Sequence, residues 1–224
     1  LFPYTTLFRS GYRHIDTAQM YKNEEFVGDA IKTSDVPRDE IFLTTKVWWE
    51  EAGAPDLQKS VEESLKKLKT DSVDLLLIHW PPKDVSIQEV MDNLRDVQDK
   101  GKARHIGVSN FTVELLEEAY KASDGKIITN QVEFHPFIPQ EPVLKAVRDH
   151  GMFLTSYSPL ARGNIAGNDV IKEIAEQNGK TEGQVVLRWQ LQHDKVAAIP
   201  KAGSRNHIRE NFDIFDFELS EDDM

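Results

Sequence analysis

The chain contains no cysteine. Disulfide frameworks and thiolate zinc sites are therefore excluded, and no metal enters the reading. A reducing cytoplasmic setting is the natural expectation for such a composition. No apolar run approaches the roughly 18 residues needed for a membrane-spanning helix. No two of the 12 glycines stand one residue apart, so the G-x-G-x-x-G fingerprint of an open dinucleotide-binding sheet is missing. Basic residues are outnumbered 27 to 38, giving a formal net charge of −11. An acidic chain without a basic stripe argues against nucleic acid as the main partner. What is present is ordinary globular material, 39% hydrophobic and 29% charged.

Short apolar runs alternate with longer amphipathic segments. Strands are predicted at Tyr12–Thr17, Ile41–Trp48, Val73–Trp80, His105–Ser109, Ile127–Phe134, Phe153–Tyr157 and Val196–Pro200. Between them, helical periodicity marks Glu24–Lys32, Leu57–Leu68, Ile87–Gln98, Val113–Lys121, Pro142–His150, segments within Asp169–His193, and Arg205–Phe212. Seven strands alternating with helices imply a parallel sheet covered by helices. Without the glycine fingerprint, a (β/α)8 TIM barrel fits better than an open sheet, and the count is one strand short. Residues 1–10, LFPYTTLFRS, resemble the translation of a sequencing adapter and are set apart as a non-native segment, with a natural strand as the alternative. The domain is then residues 11–224, a partial barrel. Ser220 followed by acidic residues reads as the start of another helix.

In parallel α/β folds, chemistry collects at the carboxyl ends of strands. The polar residues that close the apolar runs are Asp16, Lys46, His79, Ser109, Asn110, Gln131 and Tyr157, with Tyr21 in the loop after the first strand and Lys201 after the last. Singly, each has a structural explanation. Asp16 suits a turn cap, Lys46 a snorkelling side chain, His79 a satisfied core histidine, and Trp48, Trp49 and Trp80 core aromatics. Together, Asp, Tyr, Lys and His from neighbouring strand ends form a proton-transfer set. A phenol is a weak acid at neutral pH, an ammonium stabilises its phenolate, a carboxylate holds the ammonium, and an imidazole orients the substrate oxygen. Serine, asparagine and glutamine nearby suit a carboxamide, and a tyrosine face suits a flat ring.

The runs GYRHIDTAQMYKNE, TTKVW, DLLLIHWP, GVSNF, NQVEFHP, SYSPL, LRW, IPK and ENFDIFDFEL stand in the order of the aldo-keto reductase signatures, and the chain resembles that family over nearly all of Gly11–Met224. Its wording is similar to the microbial branch that reduces 2,5-diketo-D-gluconate and methylglyoxal. The resemblance implies an NADPH-dependent reductase of small aldehydes, ketones or dicarbonyls, expected to be a monomer acting on a small-molecule carbonyl substrate. It assigns Asp16, Tyr21, Lys46 and His79 to a catalytic tetrad with Tyr21 as general acid. Ser109, Asn110 and Gln131 match carboxamide-holding residues, and Tyr157 the ring that stacks on nicotinamide. Ser158 and Leu160 match the pyrophosphate loop, and Lys201, Ser204, His207, Glu210 and Asn211 the adenosine-phosphate site. Trp48 and Trp80 match walls of the substrate pocket. At His207 the family commonly has an arginine that grips the 2′-phosphate, which leaves NADH open as a cofactor. The resemblance also implies that the family's first strand–helix unit and C-terminal segment are absent. The resulting open seam would weaken the chain and its activity when made alone. The alternative function is a cofactor-binding regulatory subunit of the same fold.

Overall fold

The computed structural model describes residues 4–138 and 140–224. A short helix α1 (Tyr4–Arg9) precedes seven β/α units. These are β1 (His14–Asp16), α2 (Glu24–Lys32), β2 (Phe42–Val47), α3 (Asp56–Leu68), β3 (Val73–Ile78), α4 (Ile87–Asp99), β4 (Ala103–Ser109) and α5 (Val113–Ala122). There follow β5 (Ile127–Glu133), α6 (Glu141–Asp149), β6 (Phe153–Tyr157), α7 (Asp169–Asn178), α8 (Glu182–Gln192), β7 (Val196–Ala198) and α9 (Arg205–Glu210). All strands run parallel and pair in chain order, β1 to β7.

Prolines account for two boundary differences. The third predicted strand stops at Ile78 because Pro81 and Pro82 follow, and the last stops at Ala198 before Pro200. Proline has no N–H to continue a ladder. The predicted first strand, Tyr12–Thr17, shrinks to three residues, and the last helix ends at Glu210. The segment Asp169–His193 splits in two. Gly179 adopts φ 62°, which ends α7, and Thr181 with Gln184 forms a capping box that starts α8. Ser220 makes reciprocal bonds with Asp223, its backbone N–H and hydroxyl donating to the carboxylate and its Oγ accepting from the Asp223 N–H. In the segment set apart from the sequence, α1 packs beside α2 and α9 and buries Phe8. The neighbouring Tyr12 ring meets Phe212 at 4.8 Å.

Side chains alternate along each strand, so parity decides what each one faces. Leu43, Val47, Leu76, Ile78, Ile106, Val108 and Leu154 join Val27, Val61, Leu94, Leu116 and Val147 of the helices in one buried core. The other parity carries Asp16, Lys46, Leu77, Gly107, Thr129, Gln131, Thr155 and Tyr157. That face curls on itself. Gln131 on β5 donates to Asp16 on β1 at 2.8 Å although three strands separate them. Gly107 shows how tight the bore is. A Cβ there would lie 2.8 Å from Leu77 and 2.9 Å from the Thr129 backbone oxygen.

Candidate active site

Lys46 is fully buried, where an isolated ammonium would be costly. Its Nζ is ion-paired to Asp16 and donates to the Thr17 carbonyl at 3.0 Å. Register explains the pair: Asp16 lies opposite Thr44 on β2, so Lys46, one inward step further, reaches back to it. The second carboxylate oxygen of Asp16 accepts from Gln131. Tyr21 closes a 3-10 turn, Gln19–Tyr21, that ends with Lys22 in the left-handed region at φ 53°. The Tyr21 ring, about half exposed, lies with its centroid 5.0 Å from the Lys46 Nζ.

His79 continues the inward parity of Leu75 and Leu77 one step past the end of β3, and its N–H donates to Val47 at 2.9 Å. Its ring meets Tyr21 edge-on, with centroids 5.5 Å apart, and Trp48 likewise at 5.4 Å. Burial, then the Lys46 charge, pushes the His79 pKa down to about 4, with Asp16 opposing. The imidazole is therefore neutral at physiological pH. Its Nδ1 is buried without a hydrogen-bond partner among the described residues.

Beside it runs a chain of polar side chains. Asn110, in the left-handed region at φ 63°, donates to the His79 carbonyl at 3.0 Å and to Ser109 Oγ at 3.1 Å. Ser109 donates to the Gln131 carbonyl at 2.7 Å, and the Tyr157 hydroxyl donates to Asn110 Oδ1 at 3.0 Å. Burial, then Glu133, pushes the Tyr157 pKa up. The fit to a nicotinamide carboxamide is chemical: amide and hydroxyl groups cluster beside an aromatic face and next to the Tyr21–His79 pair.

A model of the Aldo/keto reductase family matches residues 4–224. The chain belongs to that family. It is 47% identical over 216 residues to the glyoxal reductase of Bacillus subtilis, covering 96% of this chain and 78% of that protein. It is 42% identical over 221 residues to the methylglyoxal reductase DkgB of Escherichia coli O157:H7, covering 97% and 82%. A crystal structure of an aldo/keto reductase from Klebsiella pneumoniae in complex with NADP and acetate superposes with a TM-score of 0.91. It is 33% identical and covers 98% of this chain and 80% of that one. The structural neighbours are (β/α)8 barrels, and the curled seven-stranded sheet has their architecture. As an aldo-keto reductase, the protein is an NAD(P)H-dependent oxidoreductase of the carbonyl-reducing class.

Within this reductase, the structure brings Asp16, Tyr21, Lys46, His79, Ser109, Asn110, Gln131, Tyr157 and Trp48 to one rim. Trp80, a little under half exposed, lies with Trp48 on an adjoining cleft. The residues matched to the phosphates follow β6 and surround α9 in the chain. Ser158 adopts φ 47°, and Leu160 packs against a small separate core that includes Ala161 and Val185. Ser204 caps α9 by accepting from the His207 N–H at 3.2 Å. Glu210 accepts from the Thr181 hydroxyl at 2.7 Å, and Asn211 is buried at the end of α9. Lys201 is exposed. Among the described residues no helix is long and apolar enough to cross a membrane.

Gln19 escaped the sequence reading. Its amide donates to Ser60 and Ser64 of α3, and its Oε1 accepts from the Trp48 N–H at 3.3 Å, tying the Tyr21 turn to the end of β2. Trp49 and Lys83, which line the same cleft as Trp48, were also missed as site residues. The doubled WW and the WPPK run are the local signals that mark them.

Proposed function

We propose that this enzyme reduces small aldehydes, ketones and dicarbonyls of the glyoxal and methylglyoxal type to alcohols with NADPH. The observation that carries this reading is the fully buried Lys46, neutralised by Asp16 and held 5.0 Å from the Tyr21 ring. When bound, the nicotinamide supplies hydride to the carbonyl carbon. Tyr21 gives its phenolic proton to the carbonyl oxygen. The Lys46 ammonium offsets the negative charge left on Tyr21, and Asp16 holds that ammonium in place. The neutral ring of His79 orients the carbonyl oxygen without adding a competing acid. Trp48 and Trp80 present apolar walls to the rest of the substrate.

Ser109, Asn110 and Gln131 would hold the carboxamide, with Tyr157 against the ring. Ser158 and Leu160 would lie over the pyrophosphate, and Lys201, Ser204, His207, Glu210 and Asn211 would receive the adenosine phosphate. The cationic Lys201, Arg205 and Arg209, close to His207 in sequence, support NADPH, and NADH is the competitor to assay beside it. We further propose a monomer that works in the cytoplasm.

The test is NADPH oxidation with methylglyoxal. Tyr21→Phe is expected to lower kcat by about 10²–10⁴-fold while NADPH binding is kept. Oxidation that survives Tyr21→Phe would reject the assignment. Tight NADPH binding with no oxidation by any carbonyl would favour a regulatory subunit.

A further inference from the structure

Outside the tetrad, one charged group faces an otherwise uncharged cleft. Trp48, Trp49, Trp80, Pro81, Pro82 and Lys83 line a cavity of about 400 Å³. Five of the six offer only apolar or aromatic surface and ring N–H groups. Lys83 holds its Nζ 4.6 Å from the centre of the Trp49 ring. A cation over an indole face is attracted by the ring quadrupole, which restrains the ammonium at the cleft. Asp84 is the acid next to it in sequence, with Glu89 and Asp74 following, yet among the described residues Lys83 forms no ion pair. Its charge is available to a ligand. Pro81 and Pro82 fix the backbone that delivers it. The cleft joins the reaction site through Trp48, whose ring also meets His79 at 5.4 Å.

We propose that Lys83 makes this cleft a carboxylate subsite, so that the enzyme favours short oxo acids, with carbonyl and carboxylate on one chain, over neutral carbonyls of the same size. The inference rests on the reductase reading, because it seats the carbonyl between Tyr21 and His79. The carbon chain then runs along the Trp48 face, and the carboxylate meets the Lys83 ammonium. On a chain of net charge −11, the general field repels an anionic substrate, so a local cation is what admits it. An ammonium about 5 Å from a carboxylate near a surface corresponds to roughly a fewfold to a hundredfold in affinity, and salt screening places the expectation near tenfold.

The experiment compares 4-oxobutanoate with its methyl ester, using the full chain and its Lys83→Met and Lys83→Arg variants. The ratio of kcat/KM for the acid to that for the ester is expected to fall about tenfold in Lys83→Met, through KM, and to be restored in Lys83→Arg. Added salt should shrink the wild-type ratio. A ratio that is the same in all three proteins overturns the subsite while leaving the reductase reading intact. A second readout is independent of turnover. Three of the four tryptophans line the cleft, so 4-oxobutanoate binding is read by their fluorescence. Quenching that weakens about tenfold in Lys83→Met upholds the subsite even if no carbonyl is reduced, and equal quenching in both proteins overturns it.

Discussion

At their carboxyl ends, β1 and β2 present Asp16 and Lys46, with His79 just beyond β3. At their amino ends the same faces present His14, Phe42 and Leu75. The amino-end residues line the larger cavity, about 550 Å³ against about 400 Å³ for the tryptophan cleft. Volume alone would favour the amino end, opposite to the proposed site. The polar atoms separate the two. His14 is satisfied by Thr44 Oγ1 at 3.0 Å, and Phe42 stacks loosely on His105. At the other end, a buried ammonium, a carboxylate and an unpartnered imidazole nitrogen converge. One strand face thus serves packing at one end and carries the proposed chemistry at the other, the division expected of α/β barrels.

The sharpest way to break this comparison is a pair of substitutions on β2. Lys46→Met leaves the Asp16 carboxylate buried with its hydrogen bond from Gln131 but without its counter-charge, and is expected to cost about 3–5 kcal/mol of stability along with turnover. Phe42→Leu, on the same face four residues earlier, is expected to cost less than about 1.5 kcal/mol and to keep turnover. Urea denaturation and NADPH oxidation check both. Equal losses for the two variants would show that the bore is uniform and that its carboxyl end is not specialised.

How much of this was legible in the sequence follows from how far each signal reaches along the chain. Asp16, Lys46 and His79 were legible because each closes an apolar run, and strand parity then fixes which way it faces. Tyr21 lies in a short turn with no periodicity, so only the DTAQMY motif marks it. Gln19 was not legible, because its role depends on Ser60, Ser64 and Trp48, all about 30 or more residues away. The alternation of strands and helices gave the β/α order directly. The helix over residues 4–9 was not foreseen, since packing against α2 and α9 outweighs the strand-like composition of that segment. Lys83 was missed because an exposed lysine carries no signal until its ring partner is placed.

A second test uses acid, and it treats the two ends alike where the first separates them. Burial holds the pKa of both His79 and His14 below the ordinary 6.5, His79 at about 4. A histidine lowered on folding binds its proton more readily in the unfolded chain. Its contribution to stability is full above pH 6.5 and is lost as the pH falls through the folded value. For His79 that window runs from about 6.5 to 4, and the loss amounts to roughly 3 kcal/mol at its limit. His79→Gln and His14→Gln are each expected to flatten the acid slope of stability, measured by urea midpoints across this range. Only His79→Gln is expected to impair turnover. An acid slope identical to wild type in His79→Gln would remove the claim that its neutral form is the folded form.

The smallest expected effect lies on β6, which runs from a half-exposed Phe153 at the apolar end to Tyr157 at the polar one. Tyr157→Phe keeps the ring and deletes the hydroxyl that donates to Asn110 Oδ1 at 3.0 Å. The loss of one such bond at a partly exposed site is about 1 kcal/mol of stability. If Tyr157 also stacks on the nicotinamide, the retained ring should keep the Kd for NADPH within about fivefold, or ~1 kcal/mol. Tyr157→Ala then separates the two roles. It removes ring and hydroxyl together, so a Kd that rises well beyond the phenylalanine value identifies the ring as cofactor-facing. Equal Kd values for both variants would leave Tyr157 as a clamp on Asn110, and the polar end of β6 would then act on the site only through its neighbour.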